Sequence, residues 1–259
     1  MKNNLHIFKI GGNIIENQSE LSKFLTLFSK IDGPKILVHG GGKKTNQVLE
    51  KMGILPKMTN GRRITDTATL DVAIMVYAGL LNKKIVAELQ ALQVNAIGMS
   101  GADANSIQAK KRPVKGIDFG FVGDINSIKS TTLTQFLNLG LTPVFCALTH
   151  DQNGQLLNTN ADTIAAELAI GLSGDFKTSL NYCFELCGVL KDTNNNDSLI
   201  KQLDLTTYQG LKSQRRISAG MLPKLENCFH ALKHGVKAVR IGNLDLFKQE
   251  SNNFTRIVL

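Results

Sequence analysis

Two short, mainly apolar runs, residues 5–10 and 35–38, each lead into glycines and then into a helix-length amphipathic stretch. A strand that is apolar throughout is buried on both faces, and a sheet covered by helices on each side provides that burial. The same alternation continues along the chain. Further strands are expected at 94–97, 141–147, 179–185 and 236–241, and helices at 19–31, 43–52, 66–92, 131–139, 161–172 and 223–234. The pattern predicts an α/β fold: a three-layer α/β/α sandwich with a mainly parallel central sheet. In the long helix, Leu70, Ile74, Tyr77 and Leu81 recur at helical spacing, so that face is either core or a contact for a second subunit. Segments 58–64 and 106–124 break the alternation and read as hairpins projecting from the sheet. The polar stretch 192–198 reads as a loop. No Pro- or Ser-rich linker divides the 259 residues, which predicts a single domain, 1–259, with two lobes meeting near residue 141.

Composition narrows the function classes. Apolar residues at 42% and charged residues at 20% are globular proportions. No apolar run reaches the roughly 20 residues that span a bilayer, and the apolar segment 5–10 is too short for a signal-peptide core and has no small-residue cleavage site after it, so the expected location is the cytoplasm. The net charge of +9 favours anionic partners, yet the basic residues are scattered. Aromatics are only 6% and tryptophan is absent, which argues against a base-stacking platform. Cys146, Cys183, Cys187 and Cys228 lack zinc-ribbon spacing and read as small buried hydrophobes. His230 and His234 share a helix face without a third ligand, so they read as surface residues.

Chemistry concentrates in a few motifs. Lys9-Ile10-Gly11-Gly12 places a lysine at a strand end beside two glycines, where backbone N–H groups can approach an anion. His39-Gly40-Gly41-Gly42-Lys43 leads into a helix N-terminus, a natural anion site. Neither is a Walker A loop nor a dinucleotide fingerprint. Asn158-Thr159-Asn160-Ala161-Asp162 precedes an apolar helix. Asn160 suits a helix cap, and Asp162 falls in the first turn, where the helix dipole favours the carboxylate. Lys224 also sits in a first helical turn, against the dipole; it is either a solvated surface lysine or a functional one.

Taken in order, Lys9-x-Gly-Gly, His-Gly-Gly-Gly, Asn60-Gly-Arg-Arg63-Ile-Thr, Asn-x-Asn-Ala-Asp and Gly220-Met-x-x-Lys224 resemble the amino acid kinase family. The resemblance covers essentially the whole chain, and is strongest to the branch acting on N-acylated glutamate. It implies phosphorylation of the side-chain carboxylate of N-acetylglutamate or N-succinylglutamate by ATP with Mg²⁺, in arginine biosynthesis. Lys9, Lys224, Asp162, Gly11 and Gly12 then correspond to the catalytic residues, with Asp162 orienting both lysines. Gly41, Gly42, Arg63, Asn158 and Asn160 correspond to the substrate site. Glu185, Leu186, Cys187, Gly188, Val189 and Leu190, with Arg216, Ile217 and Ser218, fall where the family binds ATP. The lobe of about 1–140 would hold the acyl amino acid and dimerise; that of about 141–259 would hold ATP. Two departures touch the nucleotide segment: Glu185 stands where many relatives have aspartate, and Ser218-Ala219-Gly220 differs from the common residues before Met221. Kinases of glutamate, aspartate, carbamate or UMP on the same fold are alternatives, as are a basic nucleic-acid-binding module and a non-catalytic sensor. In the family that the chain resembles, hexameric members carry an extra N-terminal helix, and four residues before residue 5 make barely one turn, so the resemblance implies a homodimer, with small-molecule substrates as its other partners.

Overall fold

The computed structural model describes residues 2–59, 62–192, 195–214, 216–217, 220–248 and 252–259. Among them, the central sheet runs Gln202–Leu203, Thr255–Ile257, Ala238–Gly242, Lys177–Cys183, Asn4–Ile10, Lys35–His39, Thr142–Phe145, Ala96–Met99. The strands from Ala238–Gly242 to Ala96–Met99 are mutually parallel. Thr255–Ile257 pairs antiparallel with Ala238–Gly242, and Gln202–Leu203 follows its direction. The expected parallel α/β architecture is therefore present.

The period-two alternation of the first strand sorts its two faces. Phe8 packs with Phe24, Phe28 and Phe247 under the helix Gln18–Ser29. Lys9 points the other way, toward the helix Ala161–Gly171. Every residue of Lys35–His39 is buried. Lys35 tolerates this because its stem lies along apolar surface while its Nζ donates to the carbonyls of Ser29 and Ile31, capping a helix end.

Several elements differ from the sequence reading. The strand expected at 141–147 is shorter, Thr142–Phe145 in the central sheet, and just past its expected end Leu148–His150, not foreseen as a strand, enters a second sheet. That sheet is ordered Leu156–Asn158, Leu148–His150, Ile107–Lys111, Gly123–Ile128. It contains the expected hairpin of 106–124, with Ile107–Lys111 antiparallel to Gly123–Ile128. In the hairpin of 58–64, Met58–Thr59 pairs with Arg62–Arg63; Asn60 and Gly61 lie outside the described residues. Edge strands of two or three residues, such as Gln202–Leu203 and Leu156–Asn158, are too short to carry an alternation signal.

The long helix is continuous in space, but Met75–Leu81 is π-helical between Thr67–Ile74 and Asn82–Ala91. Leu70, Tyr77 and Leu81 are buried within this chain, so that face is core; Met75, 54% exposed, and Leu80 lie outside it. Tyr77 and Leu81 press on the backbone of Gly41. A Cβ there would lie 2.6 Å from Leu81 Cδ1 and 2.7 Å from Tyr77 Cδ1, whereas one at Gly42 would meet Arg63 only at 3.7 Å. Gly41→Ala should thus destabilise the fold by about 1–3 kcal/mol, as overpacking does. Gly42→Ala should cost clearly less, and denaturant unfolding of both variants checks the difference.

Candidate active site

Ile10, His39, Cys183 and Gly242 end neighbouring parallel strands in register. The chain leaves Asn4–Ile10 for Lys35–His39 on one side, while Lys177–Cys183 arrives on the other. Such a reversal opens a crevice at the carboxyl ends of the strands.

The crevice holds a charge cluster. Asp162 Oδ1 lies 2.8 Å from Lys9 Nζ, and its Oδ2 lies 2.9 Å from Lys224 Nζ. The three side chains are 14%, 12% and 11% exposed. Asn160 places the carboxylate: its side chain accepts from the N–H groups of Asp162 and Thr163, as its capping role predicted. Tyr182, paired with Lys9 across the sheet, completes the seat. Its hydroxyl donates to the Asp162 carbonyl at 2.9 Å, and its ring centre lies 4.7 Å from Lys224 Nζ. Burial alone would raise the Asp162 carboxyl, but the charges of Lys9 and Lys224 outweigh it and hold the group well below the ordinary carboxylate range. Burial draws the Lys9 ammonium down, with Asp162 opposing and Lys224 adding to the shift.

The glycine loops flank this cluster. Gly12 and Gly42 are first residues of helices, where backbone N–H groups have no intrahelical partner. Gly11 departs from the reading of an open anion donor, because its N–H donates to Cys183 O at 3.0 Å and closes the strand-to-helix turn. Lys43 Nζ contacts Asn13 Oδ1, joining the two loops. His39 is fully buried and its Nδ1 meets Gly40 O at 2.8 Å.

A cavity of about 320 Å³ opens beside the loops. Gly41, Gly42, Arg63, Asn158 and Asn160 all line it, so the five residues read as substrate-binding converge. Arg63 is anchored by Nη2 to Gly42 O at 2.9 Å, while Nη1 is buried with no partner among the described residues. Asn158 Nδ2 donates to Thr65 Oγ1. Sequence reasoning gave no site role to Tyr77, Arg62, Arg112 and Val122, which also line the cavity. It missed Tyr182 too, whose relation to Lys9 exists only through strand pairing.

The nucleotide segment is less open than expected. Glu185 is exposed and Leu186 half-buried, but Cys187, Gly188, Val189 and Leu190 are buried. Gly188 packs so closely that a Cβ would lie 2.5 Å from Thr255 Oγ1, and Val189 N–H donates to that same oxygen. Gly188 and the backbone of Val189 are thus packed against Thr255. Arg216 is exposed and Ile217 half-buried; Ser218 lies outside the described residues. The four cysteines are free and buried. His230 contacts Glu167 at the surface.

The chain matches the amino acid kinase family over residues 4–243. The acetylglutamate kinase of Cytophaga hutchinsonii is 52% identical over 238 residues, covering 92% of this chain and 90% of that protein. The acetylglutamate kinase of Bacteroides thetaiotaomicron is 47% identical over 257 residues, 99% of each. Among solved structures, a Streptococcus mutans protein aligns with a TM-score of 0.77 at 25% identity, across 93% of this chain and 95% of that one. N-acetylglutamate synthase from Neisseria gonorrhoeae shares the fold, with a TM-score of 0.83 at 21% identity over 99% of this chain and 59% of that one. The chain belongs to the amino acid kinase family.

The buried imidazole of His39 is pushed down to about 4 from an ordinary 6.5, by burial, with the Gly40 contact opposing. Between those values the unfolded chain binds the proton that the folded protein refuses. Stability attributable to this group is fully present above about 6.5 and is lost as pH falls toward 4, by at most about 1.4 kcal/mol per pH unit. Denaturant unfolding across that window should show the slope, and His39→Asn should flatten it.

Proposed function

We propose that this protein transfers the γ-phosphoryl group of ATP to the side-chain carboxylate of N-acetylglutamate, as a step of arginine biosynthesis. One observation carries the reading: a lysine–aspartate–lysine cluster stands beside a cavity lined by an arginine with one nitrogen unpaired among the described residues. A carboxylate is ionised near neutral pH and needs no general base. The difficulty is bringing two anions together, so catalysis rests on positioning and charge neutralisation. Lys9 and Lys224, aimed by Asp162, would offset charge on the transferred group, with the N–H groups of Gly12, Gly41 and Gly42 beside them. Arg63 Nη1 and Asn158 would hold the α-carboxylate.

The nucleotide would occupy the half of the chain after about residue 140, near Glu185, Leu186, Arg216 and Ile217, and the acyl amino acid the half before it. Asp162 already gives both oxygens to lysines. No group of three or more His, Cys, Asp or Glu that could hold a metal occurs among the described residues. Mg²⁺ would accordingly be held by the phosphates it accompanies, supplying charge neutralisation there. Among the described residues no helix is long and apolar enough to cross a membrane, in keeping with a proposed cytoplasmic location. Exposed Met75 and Leu80 on the long helix support a homodimer built on that helix; light scattering at monomer or hexamer mass would overturn it.

N-succinylglutamate is a second reading, favoured by Arg62, which lines the cavity and has no ion-pair partner among the described residues. Arg112 lines it as well but is held by Asp124. Hydroxamate trapping of the acyl phosphate decides between these substrates. N-acetylglutamate should give product and free glutamate none; a signal confined to N-succinylglutamate selects the second reading, and one confined to free glutamate refutes both. Lys9→Ala and Lys224→Ala should each lower kcat by about 10²–10³-fold. Arg63→Lys should chiefly raise the KM for the acyl amino acid, because a planar two-point grip is lost.

A further inference from the structure

We propose that Asn82 and His39 are positioning residues, which hold the Gly40–Gly42 loop from behind in the geometry that phosphoryl transfer requires. The inference rests on the kinase reading above but is argued from different residues. Neither side chain lines the cavity, whereas Gly40, Gly41 and Gly42 all do, so the pair acts only through the loop.

The hydrogen-bond chemistry allows one arrangement. His39 Nδ1 faces Gly40 O at 2.8 Å, and a carbonyl only accepts, so the proton is on Nδ1. Nε2 is then an acceptor, and Asn82 Nδ2 supplies a hydrogen to it at 3.1 Å. The second hydrogen of the same amide goes to Val144 O at 2.9 Å, on a neighbouring central strand. The loop carbonyl is thereby tied through an imidazole and an amide to the core of the sheet. A proton on Nε2 would face the amide donor and break the chain, so the fixed tautomer is part of the device.

The backbone is shaped to allow this. Asn82 follows the π-helical stretch Met75–Leu81 directly. A π turn holds about one residue more than an α turn, which rotates everything beyond it by about 100° relative to an unbroken α-helix. That rotation faces Asn82 toward the sheet. Gly98 leaves room for it, since a Cβ there would lie 1.9 Å from Asn82 Oδ1. The same stretch sets Tyr77 and Leu81 against Gly41, so one helix bears on the loop directly at Gly41 and, through His39, at Gly40. Asn82 Oδ1 is itself buried without a partner among the described residues. A buried unsatisfied acceptor weakens a fold, and an apolar residue would pack there without that penalty. The amide is explained by what its other end holds.

The test uses the intact protein and its Asn82→Leu variant. If the pair positions the loop, kcat falls by about 10- to 100-fold while KM for the acyl amino acid stays within about threefold, the signature of a displaced catalytic group. Hydrogen exchange at the amides of residues 40–42 should become at least about tenfold faster in the variant. Imidazole nitrogen shifts of the unmodified protein should show the neutral Nδ1–H form of His39. Should Asn82→Leu fail to fold, His39→Asn and His39→Leu replace it: the asparagine keeps a donor for Gly40 O and should retain clearly more activity than the leucine. Unchanged kcat in a folded Asn82→Leu, equal activity of the two His39 variants, unchanged exchange at 40–42, or an Nε2–H tautomer would each overturn the proposal. An unmodified protein inactive on every acylated glutamate would refute the kinase reading instead, and the exchange and tautomer measurements would still decide whether the clamp exists.

Discussion

The carboxylate of Asp162 is the group around which this structure is arranged. It lies in a mostly buried crevice between Lys9 and Lys224, one on a strand and the other on a helix far away in the chain. One anion between two cations leaves the cluster with a net positive charge. Removing that charge from water is costly, and hydrophobic packing would serve stability at least as well. The arrangement makes sense where a further anion is to be received. Asn160 and the dipole of the Ala161–Gly171 helix support the carboxylate from one side, and Tyr182 supports both Asp162 and Lys224 from below.

The parallel sheet makes this convergence geometrically cheap. Its strands end together, so loops that follow residues 10, 39, 183 and 242 open onto one edge. Glycine is needed at few of those positions for strictly steric reasons. Gly41, Gly188 and Gly242 are the clear cases, because neighbouring atoms occupy the space a Cβ would take. At Gly12 and Gly42 a Cβ would meet only ordinary contacts, and what the residue offers is a short approach to the backbone. Rigidity comes from the far side: the aromatic cluster of Phe8, Phe24, Phe28 and Phe247 anchors the strand whose next residue is Lys9.

Much of this was legible in the chain itself. Apolar runs of four to seven residues, punctuated by glycine and followed by amphipathic helices, determined a parallel α/β sheet, because only burial on both faces suits such strands. The cap at Asn160, the acidic first turn at Asp162 and the two glycine-rich strand ends follow from local backbone chemistry. Other features were decided by tertiary structure alone. The pairing of Lys9 with Tyr182 depends on strand register, and its contact with Asp162 depends on which face a helix covers. The packing of Gly188 and Val189 depends on Thr255, a residue of the last strand. The π-helical turn leaves no mark in an apolar helix, because a 3.6-residue period and one extra residue cannot be told apart over so short a stretch. Local propensity acts between near neighbours in sequence, whereas each of these contacts joins residues whose separation is set by the packing of the whole sheet.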